Sequence, residues 1–464
     1  MIKRTFAQIQ QMVNGSNPNG VDETVVVQGV SKDTRTIQPG TLYVPIIGER
    51  FDGHEFAAEA VRLGAAATLW QADRLPVPAD LPVILVDDTL GALQRLAHAY
   101  RMELQVRIIG VTGSNGKTTT KDLVASILET TYKVHKTAGN LNGHIGMPLT
   151  LLELSEETEM AVLEMGMRAR HEIDLLSDIA VPEAAIVTNI GEAHLQHLGS
   201  REEIARAKLE VMSGMKEGSL LVYNGDEPLI EQVLPEMKKP PGLLVYRFGA
   251  TEKNDLFPTG IMMDERGTHF TIETTGALSY YIPMLGQHNV INALAAIAVC
   301  KYMGVSDADV VKGLNTVRLT GMRIEQLKAP SGLTVLNDAY NASPASTKAA
   351  IELLRQIEGY RRKIIVLGDM LELGDRENEF HAEIGGMLSS EELDYVFAYG
   401  PLSKQLAQAA EKRFTPGKVK WFETKSELVR EIVRVAEAED IVLVKGSRGM
   451  KLEEVVHGLL ELSQ

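Results

Sequence analysis

Apolar residues recur along this chain at two spacings, and the alternation between them lays out most of its elements. Phe6, Ile9 and Met12 fall at helical spacing and predict an amphipathic helix near the start. Residues 24–27 and 41–47 read as extended, with Pro39-Gly40 turning the chain between them. A helix over 55–63 runs into Gly64, a C-terminal stop signal. Short apolar runs at 65–70 and 83–86 read as buried strands, and a helix over 90–102 closes this first block.

From residue 107 the rhythm changes. Apolar runs at 107–111, 161–165, 184–187 and 220–223 alternate with helical patterns, which predicts βαβ units and a mostly parallel sheet. Residues 243–283 are rich in Thr and Gly and alternate in polarity, so a small antiparallel insertion is expected there. An Ala-rich helix follows over 288–303. Strand candidates at 334–337, 364–367, 395–399, 420–422 and 441–444, separated by helices, predict a doubly wound domain. The expected architecture is α/β in three domains: residues 1–104, 105–318 and 319–464. The length of 464 residues agrees, at roughly 150 residues per domain.

Composition removes several function classes. Hydrophobic residues are 44% and charged residues 23%, ordinary values for folded protein. With 62 acidic against 47 basic residues the net charge is −15, so no broad basic face for nucleic acid is expected and anionic ligands must be held locally. The one cysteine, Cys300, excludes an internal disulfide, fits a reducing compartment, and reads as a small core residue in Ala295-Ala296-Ile297-Ala298-Val299-Cys300. No signal-like stretch opens the chain and no run reaches the 18 or so apolar residues of a membrane span. A soluble, cytoplasmic monomer, not embedded in a membrane, is expected.

The strongest local signal is Ile108-Ile109-Gly110-Val111-Thr112-Gly113-Ser114-Asn115-Gly116-Lys117-Thr118-Thr119. An apolar strand leads through glycines into Lys-Thr at a helix start. Glycines let backbone N–H groups approach phosphate oxygens, the helix N-terminus favours negative charge, Lys117 can reach the β and γ phosphates, and the Thr118 hydroxyl can ligate magnesium. The usual loop places a glycine where Val111 stands, so only the shorter Gly113-x-x-Gly116-Lys117-Thr118 remains.

Phosphate chemistry also calls for a carboxylate to hold the metal. Glu164 ends the strand Ala161-Val162-Leu163, where such sheets face their ligands. His194 follows the next strand, in Ile190-Gly191-Glu192-Ala193-His194; its position alone suits a packing role as well as a site role. Lys208, in Ile204-Ala205-Arg206-Ala207-Lys208-Leu209-Glu210, reads on spacing alone as a solvent-facing helix residue. Neither a Cys/His zinc pattern nor a Ser/His/Asp hydrolase signature stands out.

Taken together, these residues resemble the Mur ligase family along nearly the whole chain. The shortened loop Gly113-Ser114-Asn115-Gly116-Lys117-Thr118-Thr119 is similar to that family's ATP loop, and Thr118, Glu164, His194 and Lys208 are similar to its magnesium site. The resemblance implies that Lys208 is carboxylated by carbon dioxide and that the carbamate helps to hold a second magnesium. Gly286-Gln287-His288-Asn289-Val290-Ile291-Asn292 resembles the segment whose asparagines contact the nucleotide, here Asn289 and Asn292. Arg323 resembles the arginine that reaches the phosphates from the third domain, and Asp338 the aspartate near ribose or adenine.

The same resemblance implies the substrates. Asp33-Thr34-Arg35, Pro39-Gly40 and Asp52-Gly53-His54 are similar to a UDP-sugar-binding first domain, and the segment with Asn140 and Asn142 to the one lining the peptide-sugar path. Asn337-Asp338-Ala339-Tyr340-Asn341-Ala342-Ser343-Pro344, Leu367-Gly368-Asp369-Met370-Leu371-Glu372-Leu373-Gly374 and Val444-Lys445-Gly446-Ser447-Arg448-Gly449-Met450 resemble the branch of the family that adds D-alanyl-D-alanine; among these, Tyr340 and Asn341 are expected to touch substrate. The implied domains are a UDP-binding one, a P-loop ATPase-like one and a Rossmann-like one. The implied reaction joins UDP-MurNAc-tripeptide to D-Ala-D-Ala with ATP and Mg2+, through an acyl phosphate, with Lys117, His194, Lys208 and Arg323 as catalytic residues. The general base stays open, as does residue three of the peptide. A lysine- or diaminopimelate-adding family member, a folylpolyglutamate-type synthetase and a non-catalytic ATP-binding switch are the alternatives.

Overall fold

The computed structural model describes residues 1–264, 266–273 and 278–462. It is a mixed α/β protein whose helices and strands are laid around three larger sheets. The first sheet is parallel, in the order Val30–Ser31, Leu42–Tyr43, Ala67–Gln71, Val83–Val86, with Lys3–Thr5 and Val26–Gln28 pairing antiparallel beside it. The opening helix, Phe6–Met12, starts where predicted because Thr5 and Gln8 form a capping box, and it buries Phe6 and Ile9. The helix Thr89–Glu103, capped by Asp88, buries Leu93, Leu96, Ala97 and Tyr100. These side chains join one apolar core that continues into the central sheet through Met147, Leu151 and Ala161.

Arg101 fixes this junction. It is 3% exposed, and its guanidinium donates to Ala180 O at 2.8 Å and to Leu104 O and Val181 O at 3.4 Å. A buried cation held only by carbonyls is costly unless all of them are engaged.

The central sheet has six parallel strands in the order Leu244–Phe248, Leu220–Asn224, Ala184–Val187, Arg107–Thr112, Met160–Glu164, Val134–Lys136. Two edges differ from the sequence reading. Leu244–Phe248 is the parallel edge strand of this sheet and not part of the antiparallel insertion, which comprises Pro258–Met263, Thr268–Ile272 and Ser279–Ile282. Its exposed Leu244 and Val245 and half-buried Tyr246 and Arg247 belong to a sheet edge, where no buried apolar run announces a parallel strand. Val134–Lys136 was missed because three residues with two polar side chains carry no apolar run. In the insertion Thr268, Phe270 and Ile272 alternate inward; Phe270 and Ile272 pack with Tyr280 and Ile282 against the helix Gln287–Tyr302. That Ala-rich helix lies on Lys117–Leu128, and Cys300 is fully buried between them, 3.7 Å from Val124 O.

The third sheet runs Glu325–Lys328, Thr334–Asp338, Ile441–Lys445, Lys363–Gly368, Tyr395–Tyr399, Val419–Phe422. All pairs are parallel except the first, an antiparallel edge whose single apolar side chain gave the sequence no signal. Apolar clusters cover both faces, as in doubly wound sheets. Chain order reverses beside Ile441–Lys445, which opens a crevice at the strand ends carrying Asp338 and Lys445.

Arg101→Ala is expected to lower stability by about 2–4 kcal/mol, since it leaves buried carbonyls unpaired and a void behind. A urea titration reads this as a lowered midpoint; an unchanged midpoint would mean that the guanidinium does not secure the junction.

Candidate active site

The strand Arg107–Thr112 delivers the glycine loop to the C-terminal edge of the central sheet. Gly113 has φ +143° and Gly116 φ +79°. A Cβ on Gly113 would stand 1.8 Å from Thr188 Oγ1, and one on Gly116 2.6 Å from Asn292 Oδ1, so no larger residue lets the loop close on its neighbours. The end of the adjacent strand pins the loop. Ser114 N donates to Asn189 O at 3.0 Å, Asn115 N to Asn189 Oδ1 at 2.9 Å, and Thr188 Oγ1 to Asn115 O at 2.6 Å. Lys117 begins the helix Lys117–Leu128 and curls its Nζ back onto Gly113 O at 2.8 Å. Thr119 lies beside it on the cavity wall.

The next hydroxyl, Thr118 Oγ1, donates to Glu164 Oε2 at 2.8 Å, and Asn142 Nδ2 donates to Glu164 Oε1 at 2.8 Å. Glu164 is 3% exposed, so the hydroxyl and carboxylate form one buried oxygen pair. Among the described residues no group of three or more His, Cys, Asp and Glu side chains is arranged to hold a metal. The Thr118–Glu164 pair offers hard oxygen donors, the kind that suits Mg2+, which keeps water and phosphate among its other ligands.

Lys208 departs from the solvent-facing position that spacing suggested. The helix Arg201–Leu209 packs Ile204, Ala205 and Ala207 inward, and Lys208 goes with that face to the cavity, 2% exposed. Burial, and secondarily repulsion from Lys117, push its pKa well below the ordinary lysine value, and no carboxylate offsets them. Lys117 itself is lowered by burial; Glu164 opposes that shift and Arg323 adds to it.

His194 and Glu372 meet from opposite sides of the cavity, with His194 Nδ1 2.7 Å from Glu372 Oε2. Burial lowers the His194 pKa against the pull of Glu372, and Lys208 and Lys117 lower it further. Both residues sit in left-handed backbone, at φ 65° and 63°, a conformation that sequence spacing does not reveal. Arg323 stacks its guanidinium 4.2 Å over the Tyr340 ring, and its buried Nε has no partner within the protein.

Residues of the helix Gln287–Tyr302 and of the third block complete the wall. Asn289 Nδ2 donates to Leu285 O at 2.8 Å and Asn292 lies one turn on, both on the cavity. Asp338 is held by Lys445 Nζ at 2.6 Å, which also donates to Asn341 O at 2.9 Å. Ser343 Oγ donates to Asn115 Oδ1 at 3.1 Å and so joins the third block to the glycine loop. The cavity volume is about 980 Å³.

The structure therefore brings Ser114, Asn115, Gly116, Lys117, Thr118, Thr119, Asn140, Asn142, Glu164, His194, Lys208, Asn289, Asn292, Arg323, Asp338, Tyr340 and Asn341 onto one cavity. It does not bring the first-block group there. Asp33 caps Thr34–Thr36 and binds exposed Arg35, whose hydrogen bond holds the Asp33 pKa at about 2. His54 is spent on structure: Nδ1 lies 2.6 Å from Asp52 Oδ1, and Nε2 accepts from Gln71 N at 3.1 Å. Gly53 is where it is because a Cβ would strike Ile46 N at 2.6 Å. Lys32 is the first-block residue on the cavity. Sequence reasoning assigned it no site role, nor did it assign one to Asn189, Ser343, Glu372 or Lys445, although Lys32, Asn189 and Lys445 follow or end strands, a position that could have flagged them.

The arrangement is that of a phosphate-loop enzyme acting on a nucleotide, with flanking domains around the reacting groups. Family models agree in register: the Mur ligase family catalytic domain over residues 26–101, the Mur ligase middle domain over 111–300 and the Mur ligase glutamate ligase domain over 322–448. The chain is 50% identical over 461 residues, 99% of each chain, to the UDP-N-acetylmuramoyl-tripeptide–D-alanyl-D-alanine ligase of Bacillus subtilis. It belongs to the Mur ligase family. Its fold is similar to a crystal structure of MurF from Acinetobacter baumannii, with a TM-score of 0.89 and 32% identity over 99% of each chain. It is also similar to the MurF ligase of Thermotoga maritima in complex with ADP, with a TM-score of 0.83 and 28% identity over 94% of this chain and 98% of that one.

Gly113→Ala is expected to weaken binding of a fluorescent ATP analogue at least about tenfold, because the new Cβ and the left-handed backbone both oppose the loop. Unchanged binding would show that the loop reshapes freely.

Proposed function

We propose that the chain is an ATP-dependent ligase that adds D-alanyl-D-alanine to UDP-N-acetylmuramoyl-tripeptide, making the pentapeptide precursor of peptidoglycan. The observation that carries this reading is one cavity shared by the glycine loop, the Thr118–Glu164 pair and three cations, Lys117, Lys208 and Arg323, in a chain half identical from end to end to a ligase of that name. On this reading residues 105–318 hold ATP, residues 1–104 hold the UDP end of the precursor, and residues 319–464 hold the incoming dipeptide and part of the nucleotide.

The reaction follows from the charges. The terminal carboxylate of the tripeptide attacks the γ-phosphorus of ATP; the bond to the β-bridging oxygen breaks and ADP leaves. Two anions must meet, and Lys117 and Arg323 offset their repulsion. Thr118, Glu164 and His194 would hold Mg2+, which supplies charge neutralisation at the phosphates. The dipeptide amine then attacks the acyl carbon, inorganic phosphate leaves and the amine loses a proton. Asn289, Asn292 and Asp338 face the nucleoside, while Tyr340 and Asn341 face the dipeptide. Water must be kept from the acyl phosphate, and a cavity walled by three domains suits that need.

Lys208 supports a carbamate. A buried amine whose pKa is pushed down gives up its proton more readily, and the neutral amine can add to carbon dioxide, forming an N–C bond and releasing a proton. The product is an anion beside Lys117, where an ammonium would be repelled.

Phosphate release with UDP-MurNAc-tripeptide tests the function. Turnover is expected with D-Ala-D-Ala and at least about a hundredfold less with lysine, diaminopimelate or glutamate; turnover with any of these three in its place would overturn the substrate assignment. Lys208→Ala is expected to lose nearly all turnover and to regain part of it with added short-chain carboxylic acids. No recovery at any acid concentration would count against the carbamate.

A further inference from the structure

One turn beyond Thr118 on the same helix, Asp122 is 1% exposed, yet the phosphate chemistry makes no use of it. Both of its oxygens are engaged. Oδ1 accepts from Lys136 Nζ at 2.8 Å, and Oδ2 accepts from the backbone N–H of Thr320 at 2.8 Å. Lys121, also buried, lies 3.4 Å from Oδ1 and donates to Thr137 O at 2.9 Å. Thr137 Oγ1 in turn accepts from Glu164 N at 3.0 Å. The carboxylate thus belongs to the scaffold that sets the glycine-loop helix and Glu164.

Thr320 lies on the crossing from the central block to the third, three residues before Arg323. That crossing is under backbone strain, with Met322 at φ 63° and Ile324 at φ 53° on either side of the arginine. A β-branched residue in that region persists only where its surroundings over-determine it. Here both flanks are tied. Asp122 holds Thr320 N, and Glu325 accepts from Met322 N at 3.1 Å while Asn337 Nδ2 holds the same Glu325 oxygen at 3.1 Å. The first tie comes from the helix that begins with Lys117, the second from the third sheet.

We propose that Asp122 is a positioning residue for Arg323: by gripping Thr320 it fixes where the crossing leaves the glycine-loop helix, and so aims the guanidinium at the phosphates held by that helix. This rests on the reading that Arg323 meets the nucleotide phosphates. The competing account is that a buried carboxylate only neutralises Lys121 and Lys136. The two accounts differ in whether the effect of Asp122 passes through Arg323.

A double-mutant cycle separates them, read first as binding of a fluorescent ATP analogue and then as phosphate release. Asp122→Ala is expected to weaken nucleotide binding about tenfold when Arg323 is present and less than about twofold in Arg323→Ala, since groups acting through one another are not additive. Asp122→Asn keeps an oxygen for Thr320 N–H and is expected to stay within about threefold of the parent, which also covers the case in which the alanine variant does not fold. Lys136→Met removes charge without touching Thr320 and should likewise stay within about threefold. Equal losses for Asp122→Ala in both backgrounds, or a loss in Asp122→Asn that persists in full in Arg323→Ala, would overturn the proposal. If the unmutated chain binds nucleotide but ligates nothing, the proposed function fails while the binding cycle still judges Asp122.

Discussion

A surplus of positive charge in a confined space is the constraint on which the rest of the site depends. Lys117, Lys208 and Arg323 line one cavity, and Glu164 is the carboxylate set deepest among them. Each cation is partly stripped of water, and Lys117 depresses the proton affinity of Lys208. Such a site is incomplete by itself and calls for anions to complete it. The overall charge of −15 makes this local surplus more selective, since the surface as a whole repels the same ligands.

The groups that line the cavity are contributed across boundaries. Ser343 reaches Asn115, Glu372 reaches His194, and Gln196 N donates to Glu372 O at 3.4 Å, so the third sheet touches the central one at residues that also line the cavity. Leu195 packs against the apolar cores of both. Adhesion between domains and assembly of the site therefore use the same contacts, and a domain that swung away would take Arg323, Glu372 and Ser343 with it.

The sequence made some of this legible for definite reasons. The glycine loop, Glu164 and the central strands could be read because a short apolar run leading into Gly and Lys-Thr has one physical use. The edge strands Val134–Lys136 and Glu325–Lys328 could not, because edges are short and half-solvated. Lys208 showed the limit of periodicity: its helix buries a polar residue that the spacing assigned to water, and the family resemblance alone singled it out. His54 and Asp52 bond to each other and to a neighbouring strand, and Gly53 packs against Ile46, contacts that the sequence did not announce. Glu372 and His194 depend on left-handed backbone, which no local pattern announces.

The lone thiol has a practical consequence. Cys300 is sealed between two helices, and burial raises its pKa well above the usual range, so it is neither reachable nor ionised under ordinary conditions. The folded enzyme is in effect thiol-free toward alkylating dyes. Pairs of surface cysteines placed on separate sheets would take up fluorophores or spin labels without background, and distances between the sheets could be measured without first removing a native thiol.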